Sequence, residues 1–269
     1  MTAIIVPDLS DLAYHKSPAL SASGAKLILK SPAHYRWAMD HPAPPSPTFT
    51  LGHAVHSLVL GSGRQVVRVY FDDYKTKDAR LLRDVLLSAD MIPLTRPEWA
   101  QVRAMADAVL SHPLAAALFA DGQPELSIFT ADPETGVELR TRPDWIGSRF
   151  VVDLKTAATA DPREFANACE RYGYFQQAAW YLDQAAAAGL IDDDARFLFV
   201  LVEKDAPHLV NVVEPDMPSV QRGREKNRRA IDIFAECVAT GTWPGYPTDT
   251  ATIIGSPQWA IRQHEEEYL

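Results

Sequence analysis

Cysteine is scarce in this chain. Cys169 and Cys237 are the only two, and they stand in no Cys-x-x-Cys pair and no Cys/His cluster. That count excludes a structural zinc ribbon and a cysteine-ligated iron–sulfur cluster, each of which needs about four ligands. Two isolated thiols read instead as small buried side chains in a reducing cytosol. Long apolar runs are also missing. FLFVLV at 197–202 is as long as one strand, far short of the ~18 residues of a membrane helix, so no membrane contact is expected. The N-terminus, MTAIIVPDLSDL, has neither a basic start nor a long apolar segment, so it is not read as a secretory leader and a cytoplasmic location is expected. Positive charge is in deficit: 26 Lys and Arg against 35 Asp and Glu give a net charge of −9. Such a balance disfavours non-specific coating of nucleic acid. It is compatible with an enzyme that holds a metal through carboxylates and keeps a local basic track.

What is present is a globular composition, 47% hydrophobic and 23% charged over 269 residues, enough for a sizeable core. Residues 17–40 predict two short helices, with Ser21 or Ser23 capping the first and Ser31–Pro32 starting the second. HPAPPSPT at 41–48 reads as an irregular connector, and the apolar spacing after it as a buried helix. A strand is expected at 64–71, then helices over 76–119 broken at Pro93, Pro97 and Pro113. The period changes in the centre: 125–132, 137–147 and 149–156 read as three strands of an antiparallel meander. One long helix over 164–188, strands at 196–205 and 208–215 and a basic helix at 218–241 follow. The order predicts a mixed α/β (α+β) fold, a central mixed sheet flanked by helices. The expected organisation is a single domain over 1–269, with an N-terminal extension (1–16) and an acidic C-terminal tail (248–269) ending QHEEEYL, read as mobile or as a protein contact.

The segment RPDWIGSRFVVDLKT, 142–156, puts carboxylates inside an apolar hairpin. In a strand, residues two apart share a face, so Asp153 and Lys155 project together. With the turn near Ser148, Asp144 falls opposite or diagonal to Asp153, at a cross-strand distance of roughly 4.5–8 Å. Two carboxylates in such surroundings repel unless a cation lies between them. A hard divalent ion such as Mg²⁺ or Mn²⁺ answers that need, with Lys155 placed to act on an attacking water or on developing negative charge. The bland alternative is a surface Asp153–Lys155 salt bridge.

Three further stretches weigh against coincidence. Pro143-Asp144 followed by Asp153-Leu154-Lys155 resembles the PD-(D/E)XK nuclease superfamily, with its restriction-endonuclease-like core. Gln177-Ala-Ala-Trp-Tyr181 resembles the Gln-x-x-x-Tyr helix of its RecB-like branch, and Gly52-His-Ala-Val-His56 the Gly-x-x-x-His helix. SPAHYRW, GHAVHSLVL, ELSIFTADPETGVELRTRPDWI, VVDLKTAATADPREF, YGYFQQAAWYLD and GTWPGYP are similar to phage and prophage RecE-type exonuclease domains over most of 17–247. That resemblance implies a Mg²⁺-dependent exonuclease (Mn²⁺ substituting) with no zinc, iron–sulfur cluster or nucleotide cofactor. It would degrade one strand of linear duplex DNA from 5′ ends for single-strand-annealing recombination. It also implies a ring-like homo-oligomer and an annealing protein as partner. Residue by residue, Asp144 and Asp153 match the metal-binding acids, Lys155 the motif lysine, His56 a further metal ligand, and Gln177 and Tyr181 the supporting helix pair. Asp153 stands where glutamate is commoner. The alternatives are another RecB-like, structure-selective nuclease and a non-catalytic DNA or recombination adaptor.

Other candidates have plainer readings beside them. Glu125 matches an acidic position of the same relatives, or forms a salt bridge. Arg140 and Arg142 alternate with Asp144 and are expected to share its face, meeting a phosphate or balancing the acids. Ser21, Ser23 and Arg36 are placed for a 5′-phosphate, or simply for capping. Arg222, Arg224 and Arg228 on the basic helix follow a DNA backbone, or form a solvated face.

Overall fold

The structure, a computed structural model, describes residues 3–41 and 47–269. Most of the expected connector at 41–48 lies outside them. The first described elements are β1 (Ile4–Val6), α1 (Asp11–Lys16) and β2 (Leu20–Ser21); β1, within the expected N-terminal extension, pairs antiparallel with Ser127–Phe129. α2 (Ala22–Lys30) and α3 (Pro32–Asp40) follow, capped by Ser21 and Ser31, with Pro32 in the first turn. α4 (Pro47–Leu60) follows, with Ala54, Val55, Val59 and Leu60 buried. Then come β3 (Val66–Arg68), α5 (Lys77–Ser88), β4 (Ile92–Leu94), α6 (Arg96–Ser111) and α7 (Pro113–Leu118). The expected helical break at Pro93 is occupied by a short buried strand, with β3 and β4 forming a parallel ribbon.

The centre departs from one continuous meander. β5 (Gln123–Pro124), β6 (Ser127–Ala131), β7 (Glu138–Thr141), β8 (Trp145–Ile146) and β9 (Phe150–Ala157) belong to two sheets. β6 and β7 pair antiparallel in a sheet of order β1-β6-β7-β2, whereas β8 and β9 pair antiparallel in the other. Pro143 lies between Thr141 and Trp145 and offers no N–H to a ladder, so the single strand expected at 137–147 breaks there and changes sheets.

α8 (Pro162–Tyr172) and α9 (Tyr174–Ala187) replace the one long helix expected. Gly173 separates them with φ +67°, a left-handed conformation that closes α8 on the Cys169 carbonyl. β10 (Arg196–Glu203) returns parallel to β9, and β11 (Val210–Val213) antiparallel to β10, so the site-bearing sheet is mixed, of order β11-β10-β9-β8-β5. α10 (Met217–Thr240) crosses α9 closely: a Cβ on Gly223 would sit 2.5 Å from the Phe175 carbonyl oxygen. The C-terminal tail contains a helix, α11 (Gln258–Tyr268), with none of its residues buried.

Each face of the five-stranded sheet has its own core, as alternation along the strands requires. Val152, Leu154, Val200 and Val202 pack with α4 and α6 through Val55, Val102 and Met105. Val151, Phe197, Phe199 and Leu201 pack with α8 and α9 through Phe165, Ala178 and Ala179. A third cluster joins α2, α3, α9 and α10 around Trp180 and Tyr35. Cys169 and Cys237 are buried and unpaired, while Trp37, a core candidate by type, is exposed and stacks on His41.

Candidate active site

β8 and β9 settle the register of the hairpin. Trp145 faces Val152 and Ile146 faces Val151; one residue further on, Asp144 falls opposite Asp153. The Leu154 N–H donates to Asp144 Oδ2 at 2.7 Å, fixing that carboxylate against the next strand. From the other side His56, on α4, brings Nε2 to 3.1 Å from Asp144 Oδ2. Its Nδ1 lies 2.8 Å from the Gly52 carbonyl oxygen, which can only accept, so Nδ1 carries the proton. The Gly-x-x-x-His spacing therefore has a physical content: one helical turn lets the glycine carbonyl fix the ring's tautomer.

Asp153 is 2% exposed. Gln177, buried on α9, donates Nε2 to Asp153 Oδ1 at 2.7 Å, and Lys155 Nζ ion-pairs with Oδ2. That second oxygen accepts no well-directed hydrogen bond. Tyr181, one turn beyond Gln177, packs against Phe197 and backs the glutamine without touching a carboxylate. The structure thus brings His56, Asp144, Asp153, Lys155 and Gln177 to one place, with Tyr181 behind them.

Protonation follows from this crowding. Burial would push His56 down, but the Asp144 carboxylate and the Gly52 carbonyl outweigh it and push the imidazole up to about 9. Burial pushes Asp144 up, yet the His56 charge and hydrogen bond, Lys155 and the Leu154 N–H hold it below the usual carboxylate range. Asp153 moves the other way: burial, with repulsion from Asp144, outweighs Lys155 and leaves it raised. Burial pushes Lys155 down, but its two acidic neighbours win and raise it. Burial holds Tyr181 well above the usual phenol range, so it stays neutral.

The donor set suits a hard divalent ion in kind: two carboxylates and an imidazole whose Nδ1–H is held by the Gly52 carbonyl, so that Nε2, now on Asp144, would turn to a cation once it gave up its proton. As placed, no three His, Cys, Asp or Glu side chains among the described residues form a ready metal cluster. His56 and Lys155 supply the countercharge instead, each against one acid.

The remaining candidates sit elsewhere. Glu125, with φ +46°, accepts from Ser62 Oγ at 2.6 Å, and its N–H donates to the Asp144 carbonyl at 3.1 Å. It braces the strand before the acid, and is not among the carboxylates that meet. Arg140 and Arg142 do not share a face with Asp144, because β7 ends at Thr141. Arg140 donates to the Tyr14 and Ser17 carbonyls and Arg142 to Asp11, Ser127 and the Leu9 carbonyl, both over the Tyr14 ring. They tie the N-terminal segment to the sheet. Ser21 caps α2 through the Gly24 N–H and lies 3.1 Å from the Ser23 hydroxyl; Arg36 pairs with Asp40 one turn on. On α10, Arg222 donates to Ser219, Arg224 to Asp183 and Arg228 to Asp132 and Asp232. Arg224 and Arg228 are thus bound to acids of the chain itself, which leaves less of this helix open as a basic track. Spacing gave no sign of Lys26 and Tyr174: the Lys155 ammonium lies 4.7 Å from the centre of the Tyr174 ring, and the Lys26 ammonium 5.7 Å from the same centre.

A mixed sheet between helices, with its acids on a hairpin that a proline delivers from the neighbouring sheet, is a PDDEXK-like fold. The chain belongs to the family described as PDDEXK-like domain of unknown function (DUF3799), which it matches over residues 21–254. Among solved structures it is similar to a candidate exonuclease from Eubacterium rectale, at 12% identity and a TM-score of 0.61, over 96% of this chain and 98% of that one. It also matches an alkaline exonuclease from Laribacter hongkongensis at 12% identity, over 70% of this chain and 90% of that one, with a TM-score of 0.29. No curated protein matches the chain.

Proposed function

We propose that this protein is a divalent-metal-dependent exodeoxyribonuclease acting on linear duplex DNA. The observation that carries this reading is the convergence of three side chains on two acids: the helix histidine on Asp144, and the strand lysine and helix glutamine on Asp153. A chance salt bridge on a strand would not recruit a buried amide from one helix and an imidazole from another. Family membership and the exonuclease named among its structural relatives support the class.

In this reading His56, Asp144 and Asp153 hold Mg²⁺, with Mn²⁺ as a substitute, and the ion supplies charge neutralisation at the scissile phosphate. Asp144 is kept ionised by its N–H and imidazole donors. Asp153 is oriented by Gln177, whose amide fixes which oxygen faces the site. Lys155, carried on the same strand face, supplies a positive charge where negative charge develops on the phosphate. Tyr181 keeps Gln177 in place.

The finer reading follows the RecE-type resemblance: resection of one strand, 5′ to 3′, leaving 3′ overhangs for an annealing partner, by a ring-like assembly of one-domain subunits. Ser21, Ser23, Arg36, Arg140, Arg142 and the α10 arginines remain DNA-contact candidates only where strand binding outcompetes the internal pairs described above. The test is digestion of end-labelled duplexes with Mg²⁺, comparing 5′-phosphate with 5′-hydroxyl ends. Loss of label from 3′ ends first would overturn the polarity.

A further inference from the structure

Lys26 differs from the cations around it. Lys155, the cation nearest to it, pairs with Asp153, and elsewhere in the fold Arg142 pairs with Asp11, Arg224 with Asp183 and Lys226 with Glu170. Lys26 pairs with no carboxylate among the described residues. It donates to the Tyr172 carbonyl at 2.9 Å and lies 5.7 Å from the centre of the Tyr174 ring. Lys155 lies 4.7 Å from that same centre, so the two ammonium groups are at most 10.4 Å apart (5.7 plus 4.7 Å).

The seat is built by the break between α8 and α9. Gly173, left-handed at φ +67°, turns the Tyr172 carbonyl and the Tyr174 ring toward Lys26, and a Cβ on it would come 3.1 Å from Lys26 Cδ. Two like charges near one ring in a half-buried place raise the free energy of the empty site. Burial and Lys155 together push the Lys26 ammonium down to about 8. An anion laid beside Tyr174 would relieve both costs.

We propose that Lys26 binds a backbone phosphate of the DNA strand that passes Lys155, one contact away from the phosphate being cut. This rests on the nuclease reading above. Both ammonium groups lie beside the Tyr174 ring, and their separation has an upper bound that neighbouring phosphates of one strand can span. Neighbouring phosphates on one strand are offset by about 3.4 Å along a duplex axis, so both are within reach of one strand.

The test uses the full chain carrying Asp153→Asn, so that DNA is bound without being cut, and a fluorescent linear duplex titrated at several salt concentrations. Lys26→Gln is expected to reduce the slope of log affinity against log salt by about 0.7–0.9, the value of one phosphate contact, and Lys26→Arg to restore it. A lysine that merely closed the α8 C-terminus would change melting temperature without changing that slope. The unaltered chain gives a second reading that needs no Lys26 variant: bound duplex should shield Lys26 from an amine-acylating reagent, read by mass spectrometry. An unchanged slope with Lys26→Gln, or equal acylation with and without DNA, overturns the proposal while leaving the nuclease reading intact. Absence of any duplex binding by the Asp153→Asn protein overturns both.

Discussion

Asp153 stands buried between the Lys155 ammonium and the Gln177 amide, with Asp144 across the hairpin. Removing one partner of a buried ion pair strands the other, at a cost of about 3–5 kcal/mol. Lys155→Met should therefore lose stability of that order in urea denaturation, and Asp153→Asn combined with it should regain most of the loss. Equal stability of the single and double variants would mean that the pair is not desolvated. Gln177→Ala removes a hydrogen bond to a charged group, about 1.5–3 kcal/mol, and should lower kcat about ten- to a hundredfold on duplex DNA. These residues were legible in the sequence because the proposed chemistry places them at fixed offsets: Asp153 and Lys155 two apart on a strand, Gln177 and Tyr181 four apart on a helix, Gly52 and His56 one turn apart. Lys26 was not legible, because it meets Tyr172 from 146 positions away and no local period marks it.

At the scale of elements, the break at Gly173 decides where Tyr174 and Gln177 point. Gly173→Ala places a side chain in the left-handed region, a cost of about 1–2 kcal/mol, and presses on Lys26. The variant should melt earlier and bind duplex DNA more weakly, and unchanged binding would separate the break from the site. The turn between β6 and β7 is held to α10 by Arg228, which donates to both oxygens of buried Asp132 at 2.7 and 3.1 Å. Burial pushes this carboxyl up, but the hydrogen bonds from Arg228 and Thr135 outweigh it and hold it below its ordinary 3.8. A depressed folded-state value means that this stabilisation is complete above about pH 4 and is lost as pH falls through the lower folded value. Acid titration of stability should be flatter in Asp132→Asn, followed by circular dichroism; an identical acid limb would contradict the role given to the pair. The sequence showed the strands here but not their division between two sheets. Pro143 is a single residue, and an alternating pattern on either side of it reads as continuous.

Across the whole molecule, charge and architecture point the same way. The chain carries a net charge of −9, and Arg224 and Arg228 of α10 are paired with its own acids, so in the proposed reading DNA binds at a restricted place. No helix among the described residues is long and apolar enough to cross a membrane. The sheet between helices was readable from the change of hydrophobic period, because burial on both faces makes β9 and β10 nearly continuous apolar runs. The N-terminal segment was not, since β1 is a partly exposed edge strand whose role depends on pairing Ile4 with Phe129. One digestion tests the proposed exonuclease activity most directly. Purified protein with Mg²⁺ is given linear and covalently closed forms of the same duplex, beside EDTA and folded Asp153→Asn controls. The linear form should be degraded from its ends, the closed circle spared, and both controls should be inactive. Cutting of the closed circle at the same rate, or undiminished activity in Asp153→Asn, would contradict it.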